Sequence, residues 1–289
     1  MSRSAASGDG RDGSTRGKED AVRHLFKFYK AVFRIILARY MEYRTETVIW
    51  LVQLVIRPVL FLAVWGAAAR TTSDGELSGY TPSGIAAYFI IGMVVHHLVA
   101  AWPMLGWEDR VKNGTLSYLL LRPVDVIHRD IGENFTFKSF TTPVIFATAV
   151  VLWIAFGASM HFQLWTFVAA LPVILLGAAL FFVVAFALAV AVFYTTQIDA
   201  MNTAFFFAML LFSGQIAPLA LMPPALQAVT KWLPFWWYVG FPIEVILGHF
   251  TLGQVVQGMG VQLIWIATMS AVMMAVYRRG LHNYTAVGV

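Results

Sequence analysis

Apolar residues run through the chain in long windows separated by short polar or proline-rich breaks. Six windows stand out, residues 48–69, 85–105, 140–162, 165–194, 200–222 and 255–277. Each reaches or approaches the about 20 residues that an α-helix needs to cross a hydrocarbon core of about 30 Å. They predict six membrane-spanning helices. The fourth is longer than one straight crossing needs, and Pro172 within it predicts a kink or a start in the outer leaflet.

Two other segments are apolar but patterned differently. Over residues 21–46, Arg23, Lys27, Lys30 and Arg34 form a narrow stripe at helical spacing, while Val22, Leu25, Phe26, Tyr29, Phe33, Ile36 and Tyr40 fill a neighbouring face. That is the pattern of an amphipathic helix lying in the membrane interface. The Gly-, Ser-, Asp- and Arg-rich residues 1–20 contain no apolar stretch and read as a disordered tail. Residues 223–250 are interrupted by Pro223, Pro224, Pro234, Gly240, Pro242 and Gly248, so they cannot form one spanning helix. Irregular backbone at membrane depth has to be buried in protein or line a wet cavity. This predicts short re-entrant outer helices anchored by Trp232, Trp236 and Trp237; the alternative is an external loop lying among the headgroups.

Composition agrees: 59% of the 289 residues are hydrophobic and 12% charged, against about one quarter charged in soluble domains. A chain so poor in charge cannot cover itself with a polar surface, which excludes soluble-enzyme and disordered classes. The fold class expected is an all-α integral membrane protein, with an interfacial helix over 21–46 and a six-span domain over 47–289. Residues 1–46 hold ten basic side chains and residues 106–139 hold five, whereas the loops on the opposite side offer Lys231, with Arg70 at a border. The basic side faces the cytoplasm, so residues 106–139 form a cytoplasmic loop, both termini are cytoplasmic, and residues 223–250 lie outside. The sequons at Asn113, Asn134 and Asn283 then fall on the cytoplasmic side and stay silent. The net charge of +5 suits anionic lipid headgroups, and no nucleic-acid module is present. With no cysteine, disulfide, iron–sulfur and Cys-zinc chemistry are excluded.

Motifs for catalysis are lacking. The run from Gly8 to Lys18 ends in Gly-Lys, but Asp12 stands where a phosphate loop needs Gly, and Glu19 replaces its Ser or Thr. No His-Glu-x-x-His spacing and no Ser, His and Asp set is recognisable, so no enzyme activity and no metal site is expected.

The cytoplasmic loop reads, from Trp107, Glu-Asp-Arg-Val-Lys-Asn-Gly-Thr-Leu-Ser-Tyr-Leu-Leu-Leu-Arg-Pro-Val-Asp-Val, continuing to Gly132-Glu133. Its balanced charge and apolar centre would suit docking on a soluble partner or packing on its own membrane domain. Here Glu108, Arg110, Gly114, Thr115, Leu116, Leu119, Leu120, Pro123 and Val124 resemble the loop of the permease subunits of type-2 ABC exporters. Downstream, Leu233-Pro234-Phe235, Phe241-Pro242-Ile243-Glu244 and Leu247-Gly248 are similar to that family's Leu-Pro-Phe, Pro-x-Glu and Leu-Gly steps. The resemblance covers the chain from the interfacial helix onward. Two departures, Glu133 in place of Lys and Arg122 before the proline, resemble a bacterial subgroup often encoded as two different permeases.

What the resemblance implies is a permease of the bacterial cytoplasmic membrane, acting as a dimer of six-span units, with a second copy of itself or with a paralogue. Two separate ABC ATPase subunits would carry the ATP and Mg, leaving no cofactor on this chain. It also implies a coupling helix formed around Glu108, Asp109, Arg110, Gly114, Leu116, Leu119, Arg122, Pro123 and Asp125. The repeated prolines and glycines and the tryptophans of residues 223–250 suggest an outer gate there, at Phe235, Trp236 and Glu244. The cargo class is amphiphilic, lipid-linked, glycan or drug-like.

Polar residues within the spans are the candidates for a path. Gln53 and Arg57 lie four apart on one face of the first span. They either form part of a wet path favouring anionic headgroups, or Arg57 bonds to carbonyls of a neighbouring helix. His96 and His97 point about 100° apart on a helix, so one site is not expected to take both, and a hydrogen-bonded core role fits either; His97 is retained as a path candidate. In the fifth span Asn202, Phe206 and Gln215 would suit a central cavity. An ion- or proton-coupled carrier or channel using Arg57, the histidines and Glu244 is the second reading, and a membrane-embedded transferase the third.

Overall fold

The computed structural model describes residues 12–72, 76–195 and 198–283. Among them the protein is helical, with no strand beyond an isolated bridge between Leu77 and Tyr80. The helices are α1 Asp12–Glu42, α2 Arg44–Arg70, α3 Pro82–Val99, α4 Met104–Lys112, α5 Thr115–Leu120, α6 Val126–Ala155, α7 Leu164–Val190, α8 Ile198–Phe212, α9 Pro224–Lys231, α10 Pro234–Tyr238, α11 Gly240–Ile246 and α12 Leu252–Asn283.

Five helical stretches are long and apolar enough to cross a membrane: α2, α3 with α4, α6, α7 and α12. The fifth expected span is different. Its window carries α8, 15 residues long, which at 1.5 Å per residue reaches only about 22 Å. The helix stops because Gly214 takes φ 86°, a conformation that costs other residues dearly, and its carbonyl accepts a hydrogen bond from the Tyr88 hydroxyl at 2.9 Å. Residues 213–222 continue irregularly, with one 3₁₀ turn at Leu219–Leu221, and the Trp65 indole donates to the carbonyl of Ile216 at 2.7 Å.

Two boundaries also move. The third span begins at Val126, because Asp125 caps α6 by accepting from the Ile127 amide at 3.0 Å; the loop expected to be cytoplasmic is thus largely the helices α4 and α5 plus the first turns of α6. The amphipathic helix starts at Asp12, since extending a formed helix is far less costly than nucleating one. Residues 12–20 of the expected tail are therefore helical, and residues 1–11 lie outside the described residues.

At the centre stands α7, packed against α12, α11, α10, α3 and α4, with Val173, Leu180, Phe181 and Phe186 fully buried. On one side α2 lies on α3 and α3 on α6, and α1 docks along α6. Gly132 permits that docking: a methyl group there would sit 2.9 Å from Val32 Cγ1. Tyr29 hydrogen-bonds His128 at 2.9 Å, and Ile36 is buried. Outward-facing Val48, Ile49, Val52, Ile56, Leu60 and Val64 leave α2 with an unpartnered apolar face.

Candidate functional site

A cavity of about 750 Å³ runs between α2, α3, α6 and α8. The walls on α2 are Glu46, Trp50, Gln53, Arg57 and Phe61, which recur every three or four residues and so share one helical face. Facing them on α3 are Phe89, Met93, His96 and His97, with Trp102 beyond, and Phe206, Met209 and Gln215 come from α8 and the segment after it. Gln53, Arg57, His97, Phe206 and Gln215 are thus brought together. Asn202 is not: it is buried on the inner face of α8 with Ile198, Phe205 and Met209, and its Oδ1 has no partner.

Both histidines line this one cavity despite pointing apart, because the chamber is wide enough to be bounded by adjacent faces of α3. His96 Nδ1 lies 3.3 Å from Gln215 Nε2, whereas His97 Nε2 lies 3.1 Å from Thr142 Oγ1 and 3.3 Å from Thr141 Oγ1. Trp102 and Phe206 meet at 5.4 Å between ring centroids, and Phe61 stacks on Phe89 at 6.2 Å. Arg57 is exposed towards the chamber and forms no hydrogen bond or ion pair among the described residues.

The end of the cavity nearest α4 is charged. Arg110 pairs with buried Asp130 at 2.7 Å and reaches Glu133 at 3.9 Å, Glu133 pairs with Arg39 at 3.3 Å, and the Trp107 indole donates to Asp130 at 2.8 Å. One carboxylate pair, three residues apart on α6, therefore ties α4 and α1 together. Tyr40 also lines this end; burial, aided by the charge of Glu133, pushes its phenol up to about 12.

The expected coupling residues divide by face. Leu116 and Leu119 are buried and Arg110 is nearly so, while Asp109, Arg122, Pro123 and Asp125 are exposed. Glu108 pairs with Lys112 one turn on, and Gly114, at φ 68°, leads into α5. Sequence reasoning passed over the side chains that project furthest, Leu121 at 87% exposure and Tyr118 at 50%. Arg122 donates to the Tyr118 hydroxyl at 2.8 Å and lies over its ring.

At the opposite end, Tyr88, Gly214, Val239 and Ile243 close the cavity. Just beyond, buried Glu244 accepts from the Tyr80 hydroxyl at 2.9 Å on both oxygens and meets His249 Nδ1 at 2.5 Å. The hydrogen bond that Glu244 accepts from His249 raises the His249 pKa, and burial, reinforced by the carboxylate, raises that of Tyr80. A second, outer cavity of about 670 Å³ has Trp236, Trp237, Phe241, Glu244 and His249 in its wall. Phe235 lines neither cavity; it packs on Phe205 and Phe212 of α8. Sequence reasoning also missed Lys138, which donates to the Leu98 carbonyl at the end of α3 at 2.5 Å. Gln262 was missed as well; it bonds the carbonyls of Val173 and Trp237 at 3.1 and 2.8 Å.

Five helical stretches long and apolar enough to cross a membrane, with a chamber between α2, α3, α6 and α8, define a multi-pass membrane protein. The family model for ABC-2 family transporter proteins matches residues 52–288, and the chain belongs to that family. It is the permease component of an ABC-type transporter, a transport subunit that is not itself catalytic; membership implies ABC ATPase partners and, typically, a dimeric arrangement. No curated protein and no solved structure matches the chain.

Proposed function

We propose that this permease exports an amphiphilic cargo from the cytoplasmic side of a bacterial inner membrane, driven by separate ATPase subunits that hold the ATP and Mg. The observation that carries the reading is the single long cavity, charged at the α4 end, aromatic along its length and closed at Tyr88 and Gly214 beneath the outer helices. ATP binding on the partner presses on α4 and α5; the Arg110–Asp130 and Arg39–Glu133 pairs pass that displacement to α6 and α1, and the closed end opens outward. Both termini lie in the cytoplasm, and the apolar face of α2 meets a second six-span subunit or lipid.

The contact with the ATPase is the exposed edge of α5, centred on Tyr118, Leu121 and Arg122, with the buried residues Leu116 and Leu119 fixing that edge from beneath. Leu121→Asp should abolish co-purification with the partner ATPase and remove its stimulation of ATP hydrolysis. The permease itself should melt unchanged, since exposed substitutions shift stability by about 0.5 kcal/mol or less. Normal binding and stimulation by Leu121→Asp would remove this edge from the mechanism.

A further inference from the structure

Arg57 stands about 20 Å along α2 from its start, near the middle of the crossing, where an unneutralised guanidinium is costly. Among the described residues nothing bonds to it. The carboxylates bordering the same cavity do not compensate it. Asp130 and Glu133 are held by Arg110 and Arg39 at the far end, Asp109 lies at that same end on α4 beside Arg110, and Glu46 lies three turns back on α2, about 16 Å away. The groups that do surround Arg57 are polar but not acidic: Gln53 one turn away on the same face, and His96, within electrostatic reach and tied to Gln215. The middle of the chamber, around Arg57, therefore has donors and a positive charge but no carboxylate beside it.

Its walls supply the other half of a ligand's chemistry. The stacked Phe61–Phe89 pair and the Trp102–Phe206 pair offer aromatic faces on either side of the Arg57 position along the cavity. We propose that this chamber binds an amphiphile carrying an anionic group, a phosphate or carboxylate held by Arg57 and Gln53, with its apolar body along the four aromatic side chains. A guanidinium is suited to this because its fork of N–H groups matches the two oxygens of such anions. The inference rests on the reading of the cavity as the cargo path, and it adds the charge class of the cargo.

Binding can be measured without the ATPase, so that failure of export and failure of this site are separate results. The purified full chain in phosphatidylcholine nanodiscs is titrated with NBD-labelled lysophosphatidic acid and with NBD-labelled lysophosphatidylcholine of the same acyl chain, empty discs serving as blanks. The anionic probe should bind at least about tenfold tighter, the scale of one charge-assisted hydrogen bond. Arg57→Gln should bring the two probes together, Arg57→Lys should keep part of the preference because the charge stays while the fork is lost, and Phe206→Ala should weaken both probes alike. Arg57→Lys also guards against a folding defect, since a role in the fold that needed the guanidinium fork would be lost in it as in Arg57→Gln, whereas an anion site keeps the attraction of the retained charge. Displacement by phosphatidylglycerol added to the discs would identify the occupant as the membrane's own anionic lipid, and retention would identify it as a cargo of that charge; both satisfy the proposal. Equal binding of the two probes by the wild type, an undiminished preference in Arg57→Gln, or displacement by inorganic phosphate alone would overturn it.

Discussion

Glu244 is the one acidic side chain in residues 223–250, and it is buried with Tyr80 and His249 as its partners. Tyr88 is the other titratable group nearby, its ring 6.0 Å from that of Tyr80. Because the His249 pKa is raised above its ordinary 6.5 in the folded protein, the pair contributes fully below that value and its contribution disappears as pH rises through the folded pKa. The melting temperature of wild type should therefore exceed that of His249→Gln most at about pH 6, with the gap closing by about pH 9. Tyr80→Phe should be destabilising at either pH, by about 1.5–3 kcal/mol, the range for a hydrogen bond to a charged group; melting curves at the two pH values check both. The importance of Glu244 was legible in the sequence as a lone charge in an apolar segment. Its partners were not, since Tyr80 lies 164 residues away and nothing in its local pattern distinguishes it. Leu119 and Leu121 show the same limit: side by side in composition, one is buried and the other is among the most exposed apolar side chains, because a helix of six residues is too short for periodicity to reveal its inner face.

The elements follow a similar division. The lengths of α2, α7 and α12 were written in their apolar windows, and so was the broken outer segment, whose prolines open α9 and α10. The shortened α8 was not, because its stop depends on Gly214 meeting Tyr88 of α3. The early start of α6 escaped for another reason: its first turns are polar, and they are helical because their charges pair with α4 and α1 instead of facing water. That pairing is strong enough to test. Asp130→Ala would leave Arg110, already short of a partner for one guanidinium nitrogen among the described residues, with only the long contact to Glu133 at 3.9 Å, at a cost of about 3 kcal/mol. Glu108→Gln, which breaks only the pair with exposed Lys112, should leave the melting temperature unchanged. Equal melting of both variants would show that the contact between α4 and α6 does not hold the loop.

For the whole molecule, one path and one drive are at issue. The chain supplies a chamber with an arginine part-way along it, a charged end beside α4, and Tyr88, Gly214, Val239 and Ile243 at the other end; it carries no phosphate loop. A carrier or channel would need only the chamber, whereas a permease powered by a partner also needs a docking loop, and the exposed Tyr118, Leu121 and Arg122 favour the proposal of such a partner. The direct measurement is flux in proteoliposomes holding this permease with or without its ATPase, following NBD-labelled lysophosphatidic acid by its protection from dithionite. The account predicts movement that requires both ATP and the ATPase, and that falls to background in the Leu121→Asp variant. Movement at the same rate with the permease alone, or driven by a pH gradient without ATP, would contradict it.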